Sequence, residues 1–219
     1  MTARRTQAER KAATIAALVT ATIEVLAQRG YSGASTKAIC QAAGCTQGAL
    51  FRHFPTRAAL LAHVASELGQ RTVGPFKALD DLPSPDARVR VPALVSLMQQ
   101  ASRSETHAAW REIVVAARTD ADLLEAVSCA VAELEAQVIA TVTHLFGVHG
   151  PAREYLCTTV LSLMHMFDSE AVTRLAKQSP AIEQQRLEWA IQTLEHALSR
   201  AGARQPAPRP QTINAATGA

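Results

Sequence analysis

The residues between Ser35 and Arg57 combine hydroxyls, an amide and cations at the spacing of two short helices joined by a tight turn. The segment reads STKAICQAAGCTQGALFRHFPTR. Ser35, Thr46 and Thr56 each stand where a hydroxyl can cap the first turn of a helix. Hydroxyls at helix starts, amides and exposed cations bind phosphate oxygens and base edges. The spacing predicts a helix-turn-helix whose second helix would enter the major groove of DNA.

The turn between the two predicted helices falls at Gly44. A chain that reverses direction in so few residues needs a positive φ, which glycine adopts without steric cost. The apolar residues on either side have the spacing of inward-facing positions. Those expected to pack between the helices are Ile39, either Ala42 or Ala43, Ala49, Leu50 and Phe54.

The outward side chains of this segment differ in what they can recognise. Base edges are expected to be nearest to Gln47, Gly48 and Ala49. Phosphate contact or groove entry is expected from Thr36, Lys37, Thr46, Arg52, His53, Thr56 and Arg57, and from Arg4 and Arg5 before the first helix. Ser35 and Phe51 are also expected to lie at the DNA interface. Two alternatives stay open: Arg52 could read a guanine, and His53 could pack against the first helix.

The distribution of charge supports a nucleic-acid partner more than its sum does. The net charge of the chain is only +3. Residues 1–60 hold eight Lys and Arg against two acids, whereas the remainder holds 14 basic and 17 acidic residues. A positive field around the helix-turn-helix is what phosphate contact requires.

Composition and periodicity predict an all-α protein. Hydrophobic residues make up 48% of the chain and aromatics 4%, with few strand signals. In the first part of the chain, the predicted helices run from a Thr6 cap to Gly30, over 36–43, over 47–53 and from a Thr56 cap to Arg71. In the second part, one helix is predicted over 86–101, or with a start at Pro92, and the others run from a Ser102 cap to Arg118, from a Thr119 cap to Phe146, over 152–177 and from Pro180 to about Gly202.

These elements divide into three predicted parts. Residues 1–55 would form a three-helix DNA-binding head, joined by the fourth helix to a helical ligand-binding and dimerisation bundle at 56–203. The proline-rich tail, 204–219, is predicted to be disordered. No run approaches the roughly 18 apolar residues of a membrane span, and the basic N-terminus lacks a signal-peptide core, so we expect a cytoplasmic protein without a membrane partner.

Other functional classes find little support. The four cysteines lack metal-ligand spacing, which predicts free buried thiols and no metal site, although oxidation of Cys40 or Cys45 could disturb the turn. His165 and Asp168 could form an acid–base pair on one helix, but no nucleophile motif accompanies them. A helical architectural protein that binds DNA without a small-molecule signal is the other alternative.

The segment from Thr36 through Leu60, with the residues that flank it, resembles the TetR family of bacterial transcriptional regulators. The resemblance lies in G-Y-x-x-A-S-T-x-x-I, A-G-C-T-Q-G-A-L-F-R-H-F and P-T-R-A-A-L-L. Two positions depart from the usual pattern: Phe51 stands where Tyr is common and Gln47 where Lys is common. Both departures weaken phosphate contact, and Gln47 becomes free to pair with adenine through its amide.

The resemblance implies a homodimer with two DNA-reading heads and no cofactor. It further implies an all-helical pocket and release from a near-palindromic operator when a small molecule binds, although activation instead of repression stays open. The last two helices of each subunit would form the dimer interface. Candidate interface residues are Met166, Val172, Ile182, Trp189, Ile191, Leu194 and Leu198.

The pocket of the regulatory half would be largely apolar with a few polar anchors. Its candidate walls are Met98, Trp110, Val114, Leu163, Met164 and Phe167, and its candidate polar contacts are His107, Arg111, His144, His165 and Asp168. Trp110 is the strongest candidate, because a large aromatic offers a stacking surface in a chain with few aromatics. The effector is therefore expected to be largely apolar.

Overall fold

The computed structural model describes residues 6–82, 84 and 86–201 of the chain. Within these residues the chain forms nine α-helices, one 3-10 helix and no strand. The α-helices are α1 (Gln7–Gly33), α2 (Thr36–Ala43), α3 (Gln47–His53), α4 (Arg57–Val73), α5 (Ala87–Ser102), α6 (Glu105–Ala117), α7 (Ala121–Phe146), α8 (Gly150–Ala176) and α9 (Pro180–Ala201). The 3-10 helix, Gly74–Asp81, connects α4 to α5. The all-α prediction is confirmed, and the tail predicted to be disordered lies outside the described residues.

Helix α1 begins with the predicted capping box. Thr6 Oγ1 accepts from the Glu9 backbone N at 3.2 Å, and the Thr6 backbone N donates to Glu9 Oε2 at 2.7 Å. By length and composition α1 could also span a membrane, because an 18-residue window within it has a mean hydropathy of 1.3. Its apolar side chains, including Leu18 and Leu26, are instead buried in the protein, so a role as a core helix explains its composition.

A kink interrupts α1 at Gly30, where the sequence predicted the helix to end. Gly30 has φ 67° and ψ 179°, after which a last helical turn continues to Gly33. The backbone N–H of the next residue, Tyr31, donates to the carboxylate of Glu112 in α6. An acceptor from another helix therefore replaces the intrahelical carbonyl, and the chain turns without leaving this N–H unsatisfied.

Helix α4 joins the head to the rest of the chain. It packs along α7 and also against α6 and α1. Its predicted apolar positions Leu60, Leu61, Val64 and Leu68 are fully buried. One continuous core therefore runs from the head into the bundle of α5 to α9.

Several predicted helix starts in the bundle were wrong. Helix α6 is capped by Ser104, whose hydroxyl accepts from the His107 N at 3.1 Å, whereas Ser102 ends α5 and donates to the Gln99 carbonyl. Helix α7 is capped by Asp120, not by Thr119. A carboxylate at that position also interacts favourably with the helix dipole, which explains the preference.

Two further boundaries differ from the prediction. Helix α5 begins at Ala87 and keeps Pro92 in its interior, so the alternative start at Pro92 is wrong. Helix α8 begins at Gly150, two residues before the predicted start, with Pro151 in its first turn. Proline is well suited to that position because the first-turn N–H groups of a helix have no intrahelical acceptor.

Candidate nucleic-acid interface and internal cavity

The helix-turn-helix has the local geometry that the sequence predicts. Gly44 is left-handed, with φ 64° and ψ 31°, between α2 and α3. Ile39 and Leu50 are fully buried between these helices, and Phe54 is 7% exposed. The open choice between Ala42 and Ala43 is resolved: Ala43 is half-buried against the core, and Ala42 is exposed.

The opposite face of this unit is open to solvent. The exposed residues among those predicted to contact DNA are Ser35, Lys37, Thr46, Gln47, Gly48, Phe51, Arg52 and Thr56. Those that are half-buried are Thr36, Ala49, His53 and Arg57. The first turn of α3 thus exposes Gln47 and Gly48 together, as major-groove reading requires.

Three hydroxyls at helix starts each cap a helix and keep a hydrogen-bond donor at the surface. The side chains of Ser35, Thr46 and Thr56 accept backbone N–H groups at 3.2, 3.2 and 3.0 Å. Each hydroxyl uses an oxygen lone pair in its cap and keeps its own proton as a donor. These caps therefore fix α2, α3 and α4 and still leave donors at the surface where phosphate would lie.

Arg57 occupies a different place from the one predicted. Its Nε donates to the Ala34 carbonyl at 3.1 Å, and its Nη2 donates to the Tyr31 carbonyl at 2.7 Å. The guanidinium carbon lies 4.0 Å from the centre of the Tyr31 ring. The side chain is therefore directed toward the end of α1, where it binds the Ala34 carbonyl and shares the Tyr31 carbonyl with the backbone N–H of Ala34.

A basic groove beside α3 was missed as a site by sequence reasoning. It is open, about 1080 Å³ in volume, and lies between the first turns of α1 and the end of α3. Arg10 and Lys11 line it together with Arg52 and His53. The excess of positive charge in residues 1–60 indicated a basic surface. However, the sequence does not show that Arg10 and Lys11 lie beside Arg52 and His53, about 40 residues later in the chain. Arg4 and Arg5 lie outside the described residues.

A separate cavity of about 190 Å³ lies among α6, α7 and α8. Of the residues predicted to contact an effector, it is lined by His107, Trp110, Arg111, Val114, Met164, His165 and Asp168. Helix α7, for which sequence reasoning proposed only His144, contributes Leu134, Glu135 and Val138. Two walls of the cavity were therefore predicted and the third was not.

One corner of this cavity is polar. His107 Nε2 lies 2.7 Å from Asp168 Oδ1, and Arg111 Nη1 lies 4.0 Å from the same oxygen. Arg111 Nη1 also donates to the Ser102 carbonyl at 2.7 Å. The His107 side chain is 5% exposed, and neither ring nitrogen has an aligned hydrogen-bond partner among the described residues.

The remaining candidate pocket residues lie elsewhere. Met98, with Met164, lines a smaller space of about 20 Å³. Leu163 and Phe167 are buried in the core without lining either space. The His144 side chain is 73% exposed and lies 3.3 Å from Asp80, so its predicted place in the effector pocket is wrong. Its position in the last turn of α7 directs it outward.

The predicted interface residues of α8 and α9 divide into two groups. Leu194 is fully buried and Leu198 is 5% exposed, so both belong to the core of this chain. Met166 and Ile191 are half-buried. The apolar residues left exposed on α8 and α9 are Tyr155, Val172, Leu175, Ile182 and Trp189. Helical spacing identified the apolar stripe of α9 but not which part of it a partner could reach.

The cysteines of the helix-turn-helix are free thiols. Burial, followed by the neighbouring Cys45 thiol, raises the pKa of Cys40 to about 11. A thiol in that state is protonated at neutral pH and is a weak nucleophile. Within the described part of the chain, no group of three or more His, Cys, Asp or Glu side chains could hold a metal ion.

Comparisons with known proteins agree with this geometry. Residues 18–64 match the family profile described as bacterial regulatory proteins of the tetR family. A helix-turn-helix-type transcriptional regulator of Mycobacterium bovis is 32% identical over 184 residues, covering 84% of this chain and 93% of that protein.

Solved structures share the fold. A transcriptional regulator from Streptomyces coelicolor superposes with a TM-score of 0.64 at 16% identity, over 85% of this chain and 98% of its own. The multidrug binding protein EbrR, solved in complex with imidazole, gives a TM-score of 0.56 at 21% identity, over 89% of this chain and 96% of its own.

The fold and the exposed second helix of the head define a DNA-binding transcriptional regulator of the helix-turn-helix class, not an enzyme. The chain belongs to the TetR family of bacterial regulatory proteins.

Proposed function

We propose that the protein is a cytoplasmic homodimeric repressor that leaves a near-palindromic operator when a small molecule fills the cavity among α6, α7 and α8. DNA binding is proposed mainly because Gln47 and Gly48 are exposed together at the start of α3. The Thr46 cap, the left-handed turn at Gly44 and the basic residues nearby hold this pair at a positively charged surface. Base edges would be read by Gln47, and Lys37, Arg52, Arg10 and Lys11 would contact phosphate.

The proposal of a dimer draws on the surface of α8 and α9. Leu175 is 84% exposed, Trp189 is 53% exposed and Val172 is 50% exposed. Large apolar side chains exposed on two helices that pack against each other fit burial against a second copy of the chain. Two heads would then contact half-sites about one helical turn, or ~34 Å, apart.

The proposal of a small-molecule signal draws on the cavity and its position. Helix α6 supplies Trp110 and Arg111 to the cavity wall and Glu112 to the kink of α1. A ligand that shifts α6 would change the separation of the two heads. If it disfavoured the DNA-binding separation by about 3 kcal/mol, operator affinity would fall more than about 100-fold. EbrR is a multidrug binding protein whose structure contains imidazole, which supports the proposal that this fold accommodates small molecules.

A footprint of the purified protein on the DNA flanking its own gene tests the proposal. We expect protection of two half-sites in consecutive turns of one face of the duplex, and raised transcription from that DNA when the gene is deleted. Absence of any protected region would contradict operator binding. Lowered transcription after deletion would show an activator instead, and a protected site that no small molecule releases would favour an architectural role.

A further inference from the structure

The cavity among α6, α7 and α8 is largely apolar, with one buried polar corner and with the solvent-exposed side chains of Glu135 and His165 also on its lining. Its apolar walls include Trp110, Leu134, Val138 and Met164. The corner is formed by His107, Arg111 and Asp168, described above. Buried polar side chains in proteins are normally hydrogen-bonded. The buried imidazole of His107 lines the cavity and has no aligned partner in the described part of the chain, which points to a ligand that supplies the missing hydrogen bond.

The charges of the corner disfavour an ionic ligand. Arg111 and Asp168 carry opposite charges 4.0 Å apart, so the corner already holds a compensated pair. An anion would be attracted by Arg111 and repelled by Asp168, and a cation would meet the reverse. Either ion would also lose its hydration on entering an apolar space. A neutral polar group avoids both costs.

The hydrogen-bonding capacity of the corner selects a hydroxyl. Asp168 accepts only, and a neutral imidazole carries one donor and one acceptor. With Nε2 facing the carboxylate, the proton of a neutral ring belongs on Nε2, because two lone pairs would otherwise face each other. His107 Nδ1 is then an acceptor, which a ligand hydroxyl could satisfy. An apolar ligand would leave it unpaired.

The size of the cavity selects a single ring. A cavity of roughly 150 Å³ lined by aliphatic and aromatic side chains is known to bind benzene. The present one, at about 190 Å³, has room for a ring with one or two small substituents. Trp110 provides an aromatic wall for such a ring.

We propose that the effector is a neutral single-ring aromatic compound of the phenol class, whose ring lies against Trp110 and whose hydroxyl donates to His107. This inference rests on the proposed function, since it specifies the ligand of the same cavity. His107 would then determine specificity, and Asp168 would position it.

Binding of three matched probes tests the proposal. The probes are para-cresol, para-xylene, which replaces the hydroxyl with a methyl group, and para-toluate, which carries a charge. The chain contains two tryptophans, so the Trp189→Phe variant leaves Trp110 as the reporter of fluorescence. We expect saturable binding of para-cresol, with para-xylene at least about tenfold weaker because it leaves a buried acceptor unpaired. Para-toluate should bind more weakly than para-cresol.

Variants at the corner separate recognition from structure. His107→Leu should abolish the preference for para-cresol over para-xylene, a ratio that general loosening of the cavity would not change. His107→Gln keeps a hydrogen-bonding group and should retain part of the preference if His107→Leu fails to fold. His144→Leu is the matched control, because the His144 side chain is 73% exposed and lies outside the cavity, and it should keep the ratio.

Several results would overturn the phenol assignment. They are equal or tighter binding of para-xylene or para-toluate, an unchanged ratio in His107→Leu, and no binding of any probe at millimolar concentration. Footprinting and light scattering of the same preparations test the proposed repressor separately. If those succeed while the probe ranking fails, only the chemistry of the effector is wrong.

Discussion

Glu112 in α6 accepts a hydrogen bond from the backbone N–H of Tyr31 in α1, with 2.8 Å between Oε2 and N. Two neighbours of Glu112 in sequence, Trp110 and Arg111, line the cavity of the regulatory half. Tyr31 in turn lies between the kink at Gly30 and the start of α2. This one contact therefore connects the helix that would sense an effector to the segment that carries the DNA-reading helices.

Replacing Glu112 tests this connection. Glu112→Ala leaves a part-buried N–H without its acceptor, and we expect a loss of about 1–3 kcal/mol in the free energy of unfolding. Urea denaturation measures the loss, and hydrogen exchange at Tyr31 should accelerate. Glu112→Gln retains an oxygen acceptor and should lose less. Equal losses in both variants would show that the charge, not the hydrogen bond, stabilises the kink.

Two glycines in the head should respond oppositely to alanine. At Gly30 a Cβ would be strained by φ +67° and would lie 3.1 Å from Glu112 Oε2, so Gly30→Ala should destabilise by about 1–3 kcal/mol. Gly48 lies in α3, and its nearest neighbour to a Cβ would be Thr46 Oγ1 at 3.9 Å. Gly48→Ala should therefore stabilise the protein by up to about 1 kcal/mol.

The same Gly48→Ala variant also tests the approach to DNA. Within the protein the Cβ would make only an ordinary van der Waals contact with Thr46 Oγ1, so we expect an effect on DNA affinity to arise at the duplex. We expect weaker operator binding in a more stable protein, measured by fluorescence anisotropy and thermal melting. Unchanged affinity would show that the α3 backbone does not approach the bases at this position.

Asp120 should contribute to the acid sensitivity of the contact between the head and the bundle. Hydrogen bonds from the Leu123 backbone and from the Tyr31 hydroxyl lower the pKa of Asp120. A carboxylate with a lowered folded-state pKa stabilises the protein above its unfolded pKa, and this contribution is lost as the pH falls through the folded pKa.

Asp120→Asn provides the measurement. Asparagine can still cap α7 and accept from Tyr31, but it does not titrate. Its free energy of unfolding should decline less than that of the native chain as pH falls below the normal range of an aspartate. Parallel declines in urea titrations at neutral and acidic pH would assign the acid sensitivity to other carboxylates.

Local signals predicted most of the head, and long-range contacts explain what the sequence did not reveal. Ser35, Gly44 and Thr46 act on their own turns of chain, so caps and glycine chemistry were sufficient to place α2 and α3. The partners of Tyr31 lie 26, 81 and 89 residues away, at Arg57, Glu112 and Asp120, and no periodicity encodes them. Arg57 was therefore interpreted as a surface cation.

In the bundle, too, local signals predicted the helices, whereas long-range packing decided what each of their faces contacts. The apolar stripe of α9 was visible in the sequence, but whether Leu194 faces its own core or a second copy depends on how α5 and α8 pack against it. The start of α6 was misplaced because both Ser102 and Ser104 can cap a helix, and the end of α5 decides between them. The cavity wall from α7 was missed for a similar reason, since helical spacing does not specify which neighbour a residue such as Leu134 meets.

The proposed dimer can be tested on exposed residues rather than buried ones. The double variant Ile182→Asp, Trp189→Asp places charges on the apolar surface of α9 without opening the core. We expect folded monomers by light scattering and circular dichroism, with poor operator affinity. Leu124→Asp is the matched control, because Leu124 is 54% exposed but lies on α7. Intact dimers in the double variant would place the interface elsewhere.

Base reading and phosphate contact should separate by mutation. Gln47→Ala should change sequence preference more than salt dependence, because an amide reads base edges and carries no charge. Lys37→Ala should weaken binding to all sequences and reduce the salt slope by about one. Competition binding over a series of salt concentrations distinguishes the two variants, and equal effects of both on either quantity would contradict the assignment.

The affinity of the purified protein for the duplex flanking its own gene, compared with a shuffled duplex of the same composition at moderate salt, tests the central claim most directly. A regulator that reads bases through Gln47 and Gly48 should bind its own sequence at least about 1,000-fold more tightly. Equal affinity for both duplexes would contradict sequence-specific regulation, even if the protein bound each of them well.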